Sequence, residues 1–160
     1  MIRPDKIISG GQTGADQAGL DAAIALGIPH GGWCPLGRRS EDGPISSKYS
    51  LKETLSEYYR DRTTRNVQDS DGTIVFIGGS IDAEPGSALT LNLCKANERS
   101  SLLINLSIDS IADAAKSVQA FVRDHKIKIL NIAGSRASIS PALGVKVVEV
   151  LKLAFSEESS

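Results

Sequence analysis

The stretch KIISGGQTGADQAGL, residues 6–20, carries the strongest chemical signal in the chain. Glycines at positions 10, 11 and 14 end a short apolar run, and alanines and leucines at helical spacing follow them. A glycine-rich turn between a buried strand and a helix exposes backbone N–H groups at the positive end of the helix dipole. Phosphate and other oxyanions bind at such turns. The competing reading is a tight turn that needs glycine only for its backbone conformation. Two later turns, Gly78-Gly79-Ser80 and Gly134-Ser135-Arg136, also follow apolar runs. One turn is not enough for useful affinity. A helix N-terminus contributes about 0.3–1 kcal/mol to an exposed anion, and a hydrogen bond to a charged group roughly 1.5–3 kcal/mol. Micromolar binding needs about 8 kcal/mol net. A crevice ringed by Thr13, Ser80, Ser87, Thr90, Ser135 and an arginine reaches that range.

The elements that must position these turns alternate along the chain. Residues 6–9 read as a strand, and the helix from Ala15 stops at Gly27 in a left-handed cap before Pro29. Residues 28–33 read as a short strand leading into the loop WCPLGRRSEDGPI, and residues 48–71 hold a helix. Strands are expected at 73–77, 101–106 and 128–133, and helices at 88–97, from 111 onward, and after the start pair Ser140-Pro141. Ser110 with Asp113 resembles a capping box. The Ser/Glu tail after Phe155 is expected to fray. This alternation predicts an α/β, Rossmann-like fold, with a mostly parallel sheet covered by helices on both faces and a single domain over residues 1–160. All strand C-termini then share one edge, where the three glycine turns converge on one crevice.

Composition narrows the partners. A net charge of −1 gives no general attraction to nucleic acid or anionic membranes, so anion binding must be local. Aromatic content of 4% argues against a stacking platform for single strands. The absence of a signal-like or membrane-length apolar segment leads to an expected cytoplasmic location. Cys34 and Cys94 have no metal spacing and read as reduced thiols, the competing reading of Cys34, beside Trp33, being a sulfur contact to a bound metal. Standard nucleotide motifs fail: GGQTGAD lacks the P-loop lysine, and Gly10, Gly11 and Gly14 miss the dinucleotide-binding spacing. Asp16 reads either as a ligand contact or metal-bridging acid or as a stabiliser of the helix start, and Asp61, Arg62 and Arg65 read as surface or interface charges. Arg65 and Asn66 are weighed as an edge of the crevice.

ISGGQTGADQAGLDAA, GGWCPLGRRSEDGPI, RTTRNVQDSDGTIVF and EPGSALT together resemble the molybdenum carrier family, from Ile7 to about Val150. These are molybdenum-cofactor carrier proteins, in a wider group that includes the LOG-type phosphoribohydrolases. The resemblance implies a Rossmann-like homo-oligomer, a tetramer, that binds the molybdenum cofactor or a related molybdate or phosphate anion. It implies delivery to partners in cofactor biosynthesis or among the molybdoenzymes, with no nucleic acid and no membrane involved. Carried over as binding residues are Gly11, Gln12, Thr13 and Gly14 of the first turn. Gly78, Gly79, Ser80, Gly86, Ser87 and Thr90 come from the second, and Ser135 and Arg136 from the third. Trp33 and Arg38 in the long loop are assigned to cover the pterin or molybdate end. LOG-type enzymes place a catalytic glutamate where this chain has Leu93. Leucine serves neither as acid nor as base, so the expectation is a non-catalytic carrier. The alternative is a nucleotide-binding sensor or nucleotide-processing enzyme in the same crevice.

Overall fold

The computed structural model describes residues 2–156, and the expectation for the C-terminal tail lies outside them except at Ser156. Five parallel strands form the central sheet: β1 (Lys6–Ile8), β2 (His30–Gly31), β3 (Gly72–Ile77), β4 (Ser100–Asn105) and β5 (Ile129–Gly134). Five helices accompany them: α1 (Ala15–Leu26), α2 (Tyr59–Asp69), α3 (Pro85–Ala96), α4 (Ile111–Asp124) and α5 (Leu143–Phe155). The spatial order is β2-β1-β5-β3-β4. Counted from β5, this is the doubly wound order 3-2-1-4-5, with the strand that normally comes first moved to the end of the chain. The α/β, Rossmann-like expectation holds, and the sheet is parallel throughout.

Period-two alternation in β3 divides the core. Ile74 and Phe76 join Ile7, Leu130 and Ile132 on the face covered by α1, α4 and α5. Val75 and Ile77 turn to the other face with Ala133, against Ile81 and Leu91, on the side of α3. The small side chains Ala15, Ala18, Ala22 and Ala23 of α1 share the first core with Val147, Val150, Leu151 and Ala154 of α5. The second face has the smaller cluster Val67, Leu93 and Cys94, which joins α2 to α3.

The caps behave as their chemistry dictates. Gly27 closes α1 in the left-handed region (φ 70), and Ser110 Oγ accepts from the Asp113 N–H at 3.1 Å. Three boundaries differ from expectation by more than one residue. Helix α3 begins at Pro85 rather than residue 88, because proline suits the first helical position. Helix α5 begins at Leu143, and Ser140-Pro141 instead forms the turn before it, the Ser140 carbonyl accepting from Leu143 N–H. The strand expected at 28–33 splits, with Trp33–Cys34 leaving the main sheet to pair with Lys52–Glu53.

Gly134 marks the closest approach of β5 to β3. Its φ is +145, and a Cβ there would lie 1.9 Å from the Phe76 carbonyl oxygen. Gly134→Ala is expected to cost roughly 2–3 kcal/mol, since strain of this kind is worth about 1–3 kcal/mol before any clash is counted. Gly79→Ala, where an added Cβ meets nothing, is expected to stay within about 0.5 kcal/mol. Urea denaturation of both variants checks the pair.

Candidate functional site

A crevice of about 420 Å³ opens at the C-terminal edge of the sheet, where β5 lies between β1 and β3 and the winding reverses. Four segments line it: the first turn and α1 start (Gly10, Gln12, Asp16), α2, the start of α3, and the end of β5 with the following loop. Helix α2 contributes Tyr59, Arg62, Thr63 and Asn66, a polar stripe at the i, i+3, i+4, i+7 spacing of one helical face. The charged residues of the lining are Asp16, Glu84, Arg60, Arg62 and Arg136, three cations against two acids. The local excess is positive although the chain carries a net −1.

The first turn spends most of its backbone donors on itself. Gly11 N–H donates to Ser9 Oγ, Gln12 N–H to Asp16 Oδ2 at 3.1 Å, and Thr13 N–H to Gln12 Oε1 at 3.1 Å. Ala15 N–H donates to the Ser135 carbonyl. Gly14, with φ +78, brings the chain so close to this carbonyl that a Cβ would lie 2.3 Å from it. The Asp16 carboxylate thus supplies the negative charge that the α1 dipole favours. Of the two roles weighed for Asp16, stabilising the helix start is the one its bonds show.

Asp16 is also half of a buried ion pair. Arg62 Nη1 lies 2.9 Å from Asp16 Oδ2, with the two side chains 12% and 4% exposed. Burial pushes the Asp16 carboxyl above its ordinary value, while the Arg62 guanidinium and the Gln12 N–H oppose the rise. Arg62 is therefore not the surface charge expected from sequence. The helical stripe 59/62/63/66 is the signal that would have found it. Two donors remain buried without partners among the described residues, Gln12 Nε2 and Arg62 Nε. Buried donors of this kind call for an acceptor, from water or from a ligand.

At the start of α3 the N–H groups of Gly86 and Ser87 have no backbone or side-chain acceptor among the described residues, as befits a first helical turn. An added Cβ at Gly86 meets nothing within 4 Å. Just before it sits Glu84, 3% exposed, which no sequence argument singled out. Its carboxylate accepts from Ser87 Oγ at 3.0 Å and from Ser135 Oγ at 2.6 and 2.7 Å. An acid directly before a helix-opening proline was the available clue.

Of the sequence-predicted residues, the crevice brings together Gln12, Gly86, Ser87, Thr90, Ser135 and Arg136. Thr90 Oγ1 donates to the Gly86 carbonyl, and the Arg136 guanidinium lies 5.7 Å from the Tyr59 ring centre. Gly11, Thr13, Gly14, Gly78, Gly79 and Ser80 lie outside its lining. Thr13 Oγ1 donates to Glu41 and accepts from Ala137 N–H at 3.1 Å. Glu41, also unforeseen, accepts from Ser138 N–H and Oγ, so it clasps the long loop to the third turn. Burial opposes ionisation of Glu41, but the hydrogen bonds from Ser138 and Thr13 prevail and hold its carboxyl below the usual value. Arg38 does not reach the crevice lining. Its guanidinium clamps the carbonyls of Ile45, Ser46 and Tyr49. Trp33 also stands outside, its indole N–H on Asp69 and the Arg65 guanidinium 4.6 Å from its ring centre. Asn66 lines the crevice and holds both backbone polar groups of Trp33. Neither cysteine lines it: Cys34 is buried with Leu20, Ile45 and Tyr49, and Cys94 with Val67 and Leu93.

Replacing Arg62 by Met leaves Asp16 buried without its cation, at an expected cost of about 3–5 kcal/mol near neutral pH. The cost should shrink as pH falls. The folded-state value of Asp16 is already raised, and loss of the guanidinium raises it further. The folded variant therefore binds a proton more readily than the unfolded chain, and its stability increases toward acid. Urea denaturation of wild type and Arg62→Met at neutral and mildly acidic pH measures this, and a gap independent of pH would refute the assignment.

Comparison with known proteins places this arrangement. The chain is 41% identical to a protein from Syntrophus aciditrophicus SB whose crystal structure, at 1.45 Å resolution, is described as that of a "Putative molybdenum carrier protein". The match covers 97% of each chain with a TM-score of 0.93. Among curated proteins none matches. Residues 7–155 match the model of the circularly permutated YpsA SLOG family, in keeping with a sheet whose central strand comes last. The chain belongs to the circularly permutated YpsA SLOG family.

Proposed function

We propose that this protein is a non-catalytic carrier that binds, shields and delivers the molybdenum cofactor or a closely related anion in the crevice between β5 and α3. One observation carries the reading. Donors without acceptors among the described residues, namely Gln12 Nε2, Arg62 Nε and the Gly86 and Ser87 N–H groups, belong to residues lining a single crevice of about 420 Å³. That volume is in the range of small-molecule sites. The crevice arginines supply the local positive charge that an anionic pterin phosphate with an oxidised metal requires. The molybdenum-carrier description of the Syntrophus relative supports the same class of cargo. The cargo is held through N–H groups and guanidinium ions, since no thiol lines the site.

In this reading Gln12, Gly86, Ser87, Thr90, Ser135 and Arg136 face the cargo, and Gly11, Thr13, Gly14, Gly78, Gly79 and Ser80 shape the turns beneath it. Trp33 and Arg38 hold the long loop. The working form is a cytosolic homotetramer that hands its cargo to cofactor-biosynthesis or molybdoenzyme partners. Exposed Leu55 and Tyr58 offer apolar surface for assembly.

The second reading, a nucleotide-binding sensor or processing enzyme, draws on two buried acids in the lining, Asp16 and Glu84. Incubation of the purified protein with molybdenum cofactor, molybdate and AMP derivatives separates the two. Co-elution of molybdenum and pterin on gel filtration is expected, with retention weakened about tenfold or more by Arg136→Ala. Steady nucleotide hydrolysis without cofactor retention would overturn the carrier reading.

A further inference from the structure

Ser87 and Ser135 look like oxyanion donors in the sequence, but each has spent its proton. A serine hydroxyl carries one hydrogen and two lone pairs. Ser87 Oγ donates to Glu84 Oε1 at 3.0 Å, and Ser135 Oγ donates to both carboxylate oxygens, at 2.6 and 2.7 Å. All three residues line the crevice and are at most 5% exposed (Glu84 3%, Ser87 5%, Ser135 1%). What this cluster offers a ligand is therefore acceptors: the remaining lone pairs of a carboxylate and of two hydroxyls. Turning either hydroxyl toward a phosphate would leave Glu84 buried and under-bonded, a loss a neutral hydroxyl contact does not recover. Thr90 Oγ1, committed to the Gly86 carbonyl, has likewise no proton to give.

The unspent donors belong to other residues. Gln12 is 5% exposed, and its Oε1 accepts from two backbone donors, Thr13 N–H at 3.1 Å and Glu41 N–H at 2.9 Å. Those two bonds fix the orientation of the amide, so Nε2 is the group without a partner. Arg62 Nε and the first-turn N–H groups of α3 add to it. The same crevice thus holds a donor region and a separate acceptor cluster.

We propose that the crevice selects a ligand with two unlike ends: an oxyanion for the donors, and a pair of adjacent N–H or O–H groups that sit on Glu84, Ser87 and Ser135. Free phosphate or free molybdate fills only the first requirement and is repelled at the second. This rests on the reading of the crevice as a binding site, and it narrows the cargo to an organic anion. Two chemical sources provide paired donors beside a phosphate: the 2-amino-4-oxopyrimidine edge shared by pterins and guanine, and the vicinal diol of a ribose phosphate.

Isothermal titration calorimetry with four probes tests it: inorganic phosphate, molybdate, ribose 5-phosphate and 2′,3′-dideoxyguanosine 5′-monophosphate. At least one organic probe is expected to bind about tenfold or more tighter than phosphate, the gain of one good hydrogen bond to a charged group. Preference for the dideoxynucleotide assigns the ring edge, and preference for the sugar phosphate assigns the diol. Glu84→Gln, which keeps the shape but turns half of the acceptor into a donor and removes the charge that repels phosphate, should erase that advantage while phosphate binds no more weakly than before. If that variant does not fold, Ser87→Ala, which removes one acceptor, should reduce the advantage. Equal binding of phosphate or molybdate and both organic probes, no binding by either organic probe, or an advantage that survives the substitution would overturn the proposal. Cofactor retention fails or succeeds independently of this ranking, so the carrier reading and the donor-edge reading are judged separately.

Discussion

The contact between Asp16 and Arg62 joins two pieces of chain that otherwise have little reason to meet, the first turn with the start of α1 and the helix α2. A carboxylate at the start of α1 loses several kcal/mol of hydration on burial, and it is tolerated because a guanidinium and a backbone N–H reach it together. The guanidinium comes from α2, so the pair fixes how closely that helix approaches the first turn. Asn66, one turn further along α2, grips both polar groups of the Trp33 backbone. Pinned at two points, α2 becomes a fixed wall, and the crevice is the space it leaves in front of β5 and α3. Charge here serves position more than stability, because an apolar pair of equal volume would hold the helices at least as well.

Much of the scaffold was legible because it rests on local rules. Apolar runs at 72–77 and 129–134 bury on both faces, as interior strands of a covered parallel sheet must, whereas the edge strand at 100–105 buries Ile104 and leaves Ser101 and Leu103 exposed. Gly27 and the Ser110–Asp113 pair set their helix ends through chemistry contained within a few residues. The site was less legible for the opposite reason. Arg62 reaches Asp16 across 46 positions, and Glu41 reaches Ser138 across 97. The 59/62/63/66 stripe marks one face of α2, but no spacing rule names the partner that face meets, and a polar helix reads as solvent-facing until that partner is known.

The glycine-rich turn shows why a chemical signature and its use can part. Its composition is that of an anion cradle, yet Asp16, Gln12 and Ser9 occupy most of its amides. The open first-turn amides belong to α3, whose start carries one glycine and a proline and entered the binding set through the EPGSALT resemblance, not through its own glycine content. Glycine at position 14 serves instead to let the first turn and the β5 loop touch backbone to backbone. The crevice is therefore asymmetric, with one glycine turn acting as a hinge pin and another helix end holding the available donors.

The order β2-β1-β5-β3-β4 has a consequence for synthesis. Among the described residues, strand β1 hydrogen-bonds only to β2 and β5, and β3 only to β4 and β5, so before β5 arrives the chain holds two separate two-stranded halves. Each half would leave an apolar edge open, the kind of surface that recruits unwanted neighbours. A nascent chain reaches its keystone only after the four strands that it joins have been made. Assembly of the sheet is thus a late, nearly all-or-none event, and the crevice comes into being in the same step, since the strand that completes the sheet also forms its floor.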